Sequence, residues 1–219
     1  MLIGVLALQG AYEKHAEKIR MLGHESLCIK TPDQLAQCTH LILPGGESTT
    51  LLRLLERDLP LKRALVEFVF KKPVWGSCAG LILLARSVVS PSQVSFGAID
   101  VSVERNGYGR QRDSFFTDQI EVVDEQLKQQ IGGKASGYFI RAPRIVKIGK
   151  GVSVAMICRG DVVAAYQGNV CVSTFHPELT EDPYFHDWFI RAGVLSGKPC
   201  SAAALSLTAA TSASARRDS

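Results

Sequence analysis

Residues 73–86, PVWGSCAGLILLAR, place a single cysteine between two glycines where a short apolar run gives way to a longer one. The pattern predicts a buried strand with a helix directly behind it. Gly76, Cys78 and Gly80 have the G-x-nucleophile-x-G spacing of a nucleophile elbow, a turn so tight that the neighbours two residues away must lack bulk. A nucleophile at a helix N-terminus also gains from the helix dipole, which stabilises an anionic sulfur. The alternative interpretation is an inert core thiol that lies between two glycines by chance.

Strands and helices alternate through the first half of the chain. Four apolar runs predict buried strands: LIGVLAL (2–8), ESLCIK (25–30), THLILPGG (39–46) and KPVWG (72–76). Helical periodicity follows the first strand at YEKHAEKIRMLG (12–23), the third at STTLLRLLE (48–56) and residues 61–71, and the fourth at AGLILLAR (79–86). Alternation of this kind predicts parallel strands that are joined by right-handed crossovers.

The second half consists of closely spaced strand-like segments with glycine-rich turns. They are VSFGAIDVSVER (94–105), SFFTDQIEVV (114–123), YFIRAPRIVKI (138–148), VSVAMICRG (152–160), DVVAAYQG (161–168) and NVCVSTFHPE (169–178). This run predicts an antiparallel extension of the same sheet, not a separate domain. DPYFHDWFIRAGVL (182–195) predicts a closing helix, in which His186 is interpreted as part of a polar face with Asp182 and Asp187.

Composition limits the classes of protein that fit. The chain has 219 residues, of which 46% are hydrophobic and 21% charged, with a formal net charge of +4, as in one globular domain. No basic stripe with interleaved aromatic residues predicts nucleic-acid binding, and no apolar run is long enough to predict a membrane span. The six cysteines form no C-x-x-C pair, so neither a metal site nor a cofactor is predicted, and the cytoplasm is the expected compartment. Residues 1–195 are predicted to form the single domain, and the Ala/Ser-rich residues 196–219 a disordered tail.

A base for the cysteine is predicted at the end of the last strand. His176 ends an apolar run, and Glu178 lies two residues further on, so both side chains point to the same side of an extended chain. A carboxylate so placed can accept the imidazole N–H and fix the tautomer of the base. An ordinary surface turn at His-Pro-Glu is the alternative.

A glycine pair follows the third predicted strand, in LPGGES (43–48). Backbone N–H groups near Gly45 and Gly46 are free to point at an oxyanion, and the N–H of Ala79, directly after the nucleophile, is the expected second donor. A plain turn into a helix cap would have the same sequence.

Three motifs in this order, PGGEST (44–49), WGSCAG (75–80) and FHPE (175–178), resemble the class I (triad) glutamine amidotransferases. ERNGYGRQRDSF (104–115) and YFIRAPRI (138–145) resemble more narrowly the glutaminase subunits of pyridoxal 5′-phosphate synthase, from about Leu2 to Leu195. Ser77 stands where that family more often has Thr, and Phe116 where an acidic residue is common. The resemblance implies an α/β three-layer sandwich with a flavodoxin-like core, a mixed and mostly parallel central sheet, and an antiparallel extension.

The same resemblance implies hydrolysis of L-glutamine to glutamate and ammonia. Cys78 is the implied nucleophile, His176 the general acid and base, and Glu178 the group that orients His176. The positions implied for glutamine binding are Gly46, Glu47, Ser48, Arg105, Ile140 and Arg141. An arginine suits the substrate carboxylate and Glu47 its ammonium group, although surface charges would explain both arginines equally well.

A synthase subunit that receives the ammonia through a channel is the implied partner. The family assembles up to twelve synthase and twelve glutaminase subunits, and the glutaminase gains activity on docking, when the Gly-Gly peptide reorients. QGAYEKH (9–15) is the expected contact, through Gln9, Glu13 and His15. A solvated helix start is the alternative interpretation of Glu13 and His15.

Three other functions remain open from the sequence. The chain could be the glutaminase of a different biosynthetic complex, although ERNGYGRQ and FIRAP disfavour this interpretation. It could be a glutamine sensor that has lost turnover, although Cys78, His176 and Glu178 are all present. A cysteine peptidase on a related fold is the third hypothesis, and it would release peptides instead of ammonia.

Overall fold

The computed structural model describes residues 1–105, 107 and 114–192. The predicted domain end at residue 195 and the predicted tail at 196–219 therefore lie outside the described residues. The strands within the described part are β1 (Leu2–Leu6), β2 (Glu25–Ile29), β3 (His40–Leu43), β4 (Val74–Ser77), β5 (Ala85–Val89), β6 (Ile99–Glu104), β7 (Phe115–Val122), β8 (Lys134–Phe139), β9 (Arg144–Ile148), β10 (Ser153–Cys158), β11 (Asp161–Gln167) and β12 (Val170–Ser173).

Nine of these strands form one mixed sheet in the order β2-β1-β3-β4-β12-β11-β10-β7-β8. The strands from β2 to β12 run parallel to their neighbours. Those from β12 to β8 pair in an antiparallel manner. This order confirms the predicted α/β class with a mixed sheet and an antiparallel extension.

Helices cover both faces of this sheet. They are α1 (Tyr12–Met21), α2 (Pro32–Ala36), α3 (Ser48–Arg57), α4 (Leu59–Val69), α5 (Ala79–Leu84), α6 (Glu125–Ile131) and α7 (Tyr184–Ala192). One apolar cluster joins α2, α3, α4 and α5 to the sheet, and a second joins α1, α6 and α7 to the opposite face. Successive side chains of a strand point to opposite faces of the sheet and so pack in both clusters: Val74 belongs to the first cluster and Trp75 to the second. The result is a three-layer sandwich.

A second sheet, of order β5-β6-β9, corrects the prediction for two segments. The segments at 94–105 and 144–148 were expected in the antiparallel extension, but β6 and β9 pair with each other and not with the main sheet. The chain leaves α5 at Leu84 and continues at once into β5, which pairs with β6 in a parallel manner. Ala85 and Arg86 are therefore strand residues and not the end of a helix. Arg141, with φ of 47°, lies in the turn that separates β8 from β9.

Loops at the carboxyl ends of β1, β3, β4 and β12 meet at one edge of the parallel half. This is the edge at which open α/β sheets place their ligand sites. Among the described residues, no helix has both the length and the apolar character that crossing a bilayer requires.

Candidate active site

Cys78 lies at the sharp corner between β4 and α5. Its backbone adopts φ 48° and ψ −100°, a conformation that L-residues seldom occupy. The Cys78 N–H donates to the Ser173 carbonyl at 2.9 Å, which ties the corner to β12. A Cβ added at Gly80 would overlap the Leu43 carbonyl, and one at Gly76 would overlap the Gly80 backbone. The corner therefore requires both glycines, as the spacing predicted.

His176 reaches the same corner from the neighbouring strand. β12 pairs with β4, with Ser173 opposite Ser77, and the chain continues to His176. The His176 backbone N–H donates to the Tyr138 carbonyl at 2.8 Å. Its side chain is buried, interacts with the Cys78 side chain, and places Nδ1 at 2.7 Å from Glu178 Oε1. The structure thus brings the cysteine, histidine and glutamate together.

The charges of this trio support one another. Burial alone would lower the pKa of His176, but the hydrogen bonds and negative charges of Cys78 and Glu178 raise it well above its ordinary value. Burial alone would raise the pKa of Glu178, yet the neighbouring His15 and His176 imidazoles hold it below its ordinary value. The buried Glu178 is therefore the ionised partner of His176 at neutral pH.

The Gly45-Gly46 loop lies directly beside the Cys78–His176 pair. A Cβ at Gly45 would overlap the His176 ring and come within 3.3 Å of the Cys78 Cβ. The Gly45 carbonyl accepts the Ala11 N–H at 3.4 Å. Because a trans peptide points its C=O and N–H in opposite directions, the Gly46 N–H points away from Ala11. Ala79, the other predicted donor, is the first residue of α5.

A cleft of about 230 Å³ opens in front of the cysteine. Its lining consists of Gly46, Glu47, Ser48, Cys78, Ile82, Arg105, Ile140, Arg141 and His176. All six positions predicted for glutamine binding are in this lining. Ile82 was missed, although its place one helical turn after Cys78 puts both side chains on the same face of α5.

Glu47 faces both arginines across the cleft. Arg105 Nη2 lies 3.1 Å from Glu47 Oε1, and Arg141 Nη2 lies 3.7 Å from Oε2. Burial would raise the pKa of Glu47, but its hydrogen bonds with Thr49 and the two arginines lower it. Arg105 is the more enclosed cation, with 14% of its side chain exposed against 54% for Arg141. The cleft therefore holds both signs of charge that a zwitterionic substrate needs.

The three residues predicted to contact a partner lie in different environments. Glu13 is exposed. Gln9 is half-buried and holds the glycine loop, since its Oε1 accepts from the Glu47 N–H at 3.2 Å and its Nε2 donates to the Glu47 carbonyl at 3.3 Å. His15 is fully buried, so its side chain does not face a partner and that prediction is wrong for the structure described. His186 is equally buried, so the predicted polar helix face is wrong there.

The order of the sheet and the cysteine–histidine–glutamate corner define the class of protein as a glutamine amidotransferase. A crystal structure of a glutamine amidotransferase superposes with a TM-score of 0.77 at 40% sequence identity, covering 86% of this chain and 97% of that one.

The chain belongs to the SNO glutamine amidotransferase family, whose model matches residues 5–195. A curated relative from Solibacter usitatus, named pyridoxal 5′-phosphate synthase subunit PdxT, is 44% identical over 188 residues, which are 86% of this chain and 97% of the relative. The protein of the same name from Thermotoga maritima is 44% identical over 193 residues, covering 87% and 98%. The protein is therefore an enzyme of the glutamine amidotransferase, or glutaminase, type.

Proposed function

We propose that this chain is the glutaminase subunit of a pyridoxal 5′-phosphate synthase and that it hydrolyses L-glutamine with Cys78, His176 and Glu178. One observation carries the proposal: Cys78 lies beside His176, whose Nδ1 is hydrogen-bonded to Glu178, at the wall of a cleft that also holds Glu47 and two arginines. The names of relatives at 44% identity support the assignment to this synthase.

In the first half-reaction, the Cys78 thiolate attacks the side-chain amide carbon of glutamine, and the carbonyl electron pair moves onto oxygen. When the tetrahedral intermediate collapses, His176 gives the proton on Nε2 to the leaving nitrogen. Ammonia departs, and a γ-glutamyl thioester stays on Cys78. Glu178 accepts the Nδ1–H throughout and stabilises the imidazolium form of His176.

Hydrolysis of the thioester completes the cycle. His176 Nε2, now neutral, removes a proton from water as the water oxygen adds to the thioester carbon. The second tetrahedral intermediate expels the Cys78 thiolate and releases glutamate. The proton that His176 took from water restores the starting thiolate–imidazolium pair.

Backbone donors stabilise the oxyanion of both intermediates. We assign this role to the Ala79 N–H, which starts α5, and to the N–H groups of the Gly45-Gly46 loop beside Cys78. Preorganised donors of this kind are each worth about 10²–10³-fold in rate in enzymes of known mechanism.

The α-carbon end of glutamine binds between opposite charges. Its carboxylate binds the Arg105 guanidinium, with a further contact from Arg141, and its ammonium group binds the Glu47 carboxylate. Glu47 already pairs with both arginines, so the substrate inserts into an existing ion cluster and leaves no charge unpaired. Ser48 and Ile140 complete the walls.

A synthase subunit receives the ammonia in this proposal, in a cytoplasmic complex of up to twelve copies of each chain. Gln9 is the link to the partner, because it bonds both backbone groups of Glu47 beside the glycine loop. Glu13, exposed in the first turn of α1, is the direct contact.

The test is glutamine-dependent release of ammonia by the purified chain, measured with and without a cognate synthase. We expect turnover that rises on addition of the synthase and that Cys78→Ala abolishes. A glutamine-like chloroketone should label Cys78 and leave the four other described cysteines unlabelled. Absence of ammonia release even with the synthase would overturn the proposal. Full activity of the chain alone would overturn only its dependence on the partner.

A further inference from the structure

Two histidines lie behind Glu178, on the side away from the cleft. His15 on α1 and His186 on α7 are both fully buried. His15 Nδ1 lies 3.0 Å from His186 Nε2, and His15 Nε2 lies 3.5 Å from Glu178 Oε2. That carboxylate oxygen is the one His176 leaves unused, since His176 bonds Oε1. Neighbouring polar side chains therefore form a continuous chain from Cys78 through His176, Glu178 and His15 to His186.

The contacts select one tautomer for each ring of the histidine pair. Burial lowers the pKa of His15 against the opposing effect of Glu178, and burial lowers the pKa of His186 well below its ordinary value. Each neutral imidazole then carries one N–H. With the proton on His15 Nε2, His15 donates toward the Glu178 carboxylate, and its Nδ1 accepts from His186 Nε2–H.

The opposite choice would be costly. It would turn a lone pair of His15 toward a carboxylate and leave a proton on His186 Nδ1, an atom with no hydrogen-bond partner among the described residues. His15 Nε2 and Glu178 Oε2 are also without a hydrogen-bond partner among these residues, and they lie 3.5 Å apart, so a proton on His15 Nε2 lies between two atoms that otherwise have no polar partner. An unpaired buried donor costs about 1–3 kcal/mol. The geometry therefore favours His15 as a donor to Glu178.

We infer that His15 is a positioning residue of the glutaminase reaction: its Nε2–H fixes the second oxygen of Glu178, and His186 holds His15 in the donating tautomer. The inference rests on the proposed function, because His15 acts on the reaction only by positioning Glu178, which in turn orients the proposed base His176.

Packing holds the pair in place. The Trp75 ring meets His15 edge-on, with ring centroids 5.1 Å apart, and meets His186 in the same way at 4.8 Å. Trp75 Nε1 donates to Ser173 Oγ at 3.1 Å, so the tryptophan is itself fixed to β12. Both imidazoles thus pack against one anchored ring, and Glu178 is contacted by His176 on one oxygen and by His15 on the other.

Other charged groups near the pair are already engaged or face elsewhere. Lys18, one turn after His15 on α1, donates its Nζ to the Glu181 carbonyl at 2.9 Å and helps to lower the pKa of His186. From α7, Tyr184 donates its hydroxyl to the Ser136 carbonyl at 2.7 Å. The charges of Asp182 and Glu178 both raise the pKa of Tyr184, although burial is the main cause of that rise. The 3.5 Å contact between His15 Nε2 and Glu178 Oε2 is thus what a substitution at His15 removes.

The expected signature is a shift in pH dependence. A donor to the carboxylate favours its ionised form, so losing the His15 donor raises the pKa of Glu178. Protonated Glu178 cannot accept the His176 Nδ1–H, so the acid limb of the kcat/KM profile moves to higher pH. A purely structural role for His15 would lower the rate without moving this limb.

The experiment compares His15→Phe with His15→Gln in the complex with the synthase. Phenylalanine keeps the ring and removes the donor, whereas glutamine can place an amide N–H near the position of Nε2. We expect kcat/KM to fall about ten-fold or more in His15→Phe, with the acid limb displaced upward, and both effects to be largely reversed in His15→Gln. His186→Phe should show the same displacement at smaller size.

His40→Phe is the matched control, since His40 is also a buried histidine but lies on β3 against Phe189. Its acid limb should coincide with that of the unchanged chain. The ¹⁵N chemical shifts of His15 in the unchanged chain give a second readout, which does not require any variant to fold, and they should report a proton on Nε2.

A proton on Nδ1 of His15, or an acid limb that does not move in a folded His15→Phe chain, would overturn the inference and leave the proposed function standing. Failure of the proposed function would appear separately, as absent ammonia release by the unchanged chain with its synthase. The two hypotheses therefore fail through different measurements.

Discussion

Glu47 combines three contacts at the mouth of the cleft. Its Oε1 accepts from the Thr49 backbone and hydroxyl, which caps α3, and its carboxylate also pairs with Arg105 and Arg141. The N-cap bond orients the carboxylate before any ligand arrives, and the arginines neutralise it. A zwitterionic substrate meets a charge cluster that is already ordered, so little side-chain entropy remains to be lost on binding.

Substitution of the arginines separates their two roles. We expect Arg105→Ala to raise the KM for glutamine about 10- to 100-fold, because a charge-assisted hydrogen bond is worth about 1.5–3 kcal/mol. Arg141→Ala should raise it less, since Arg141 lies further from Glu47 and is more exposed. Arg86→Ala is the control, an arginine that pairs with Asp100 on the second sheet. Steady-state kinetics would exclude both residues from the substrate site if neither KM changed.

The corner between β4 and α5 illustrates which elements the sequence could predict. The apolar runs of β1, β3 and β4 and the glycines around Cys78 specify local structure, and the structure contains each of them. The short helices α2 and α6 were not predicted, because five and seven residues are too few to establish a helical period.

The second sheet was missed for a different reason. β5 continues the apolar run of α5 without a break, and β6 meets β9 only across about forty residues of chain. No local sequence pattern predicts which strands pair when they lie so far apart in the chain. The same limit applies to His15, whose spacing along α1 gives no sign that it packs against Glu178 from the other end of the chain.

The requirement for glycine at the corner between β4 and α5 can be tested by adding one methyl group. Gly80→Ala would drive a Cβ into the Leu43 carbonyl, and backbone cannot move aside as a side chain can. We expect about 3 kcal/mol of destabilisation and a fall in Tm of roughly 6–12 °C, together with loss of activity. Gly133→Ala is the matched control, because nothing lies within 4 Å of its added Cβ. Equal melting temperatures for the two variants would contradict this account of the turn.

At the scale of the whole molecule, the site collects side chains from both halves of the sheet and from both helical layers. The parallel half supplies Cys78 and the glycine loop, and the antiparallel extension ends at Ile140 and Arg141. Helices α1 and α7, which close one face of the sandwich, add the buried histidine pair. The complete site therefore requires both halves of the sheet and both helical layers to be in place.

This arrangement makes global stability depend on pH in a definite direction. His15, His186 and His40 have lowered pKa values, mainly through burial. Below their ordinary value of about 6.5 the unfolded chain binds more protons than the folded one. The free energy of unfolding should therefore fall as pH decreases from 6.5, by up to about 1.4 kcal/mol per pH unit for each histidine.

His176 affects stability in a different pH range, because its pKa in the folded chain is raised. The stability that it contributes is fully present below pH 6.5 and is lost as the pH rises toward this raised pKa. Urea unfolding at pH 7.5, 6.5 and 5.5 measures these slopes. His186→Phe should reduce the fall in the free energy of unfolding below pH 6.5 and leave its pH dependence above 6.5 unchanged. An acid slope equal to that of the unchanged chain would show that His186 is not the group responsible.

β4 lies between β3 and β12, and the cysteine follows one of these strands while the histidine follows the other. A ribosome releases the chain from its beginning, so β3 and β4 can pair while β12 is still unmade. Until residue 170 emerges, the growing sheet ends at β4, and the cysteine beside that open edge has not yet met His176. Under the proposed mechanism, translation order thus keeps the nascent polypeptide inactive, and a transcript cut short before this point should encode a product without glutaminase activity.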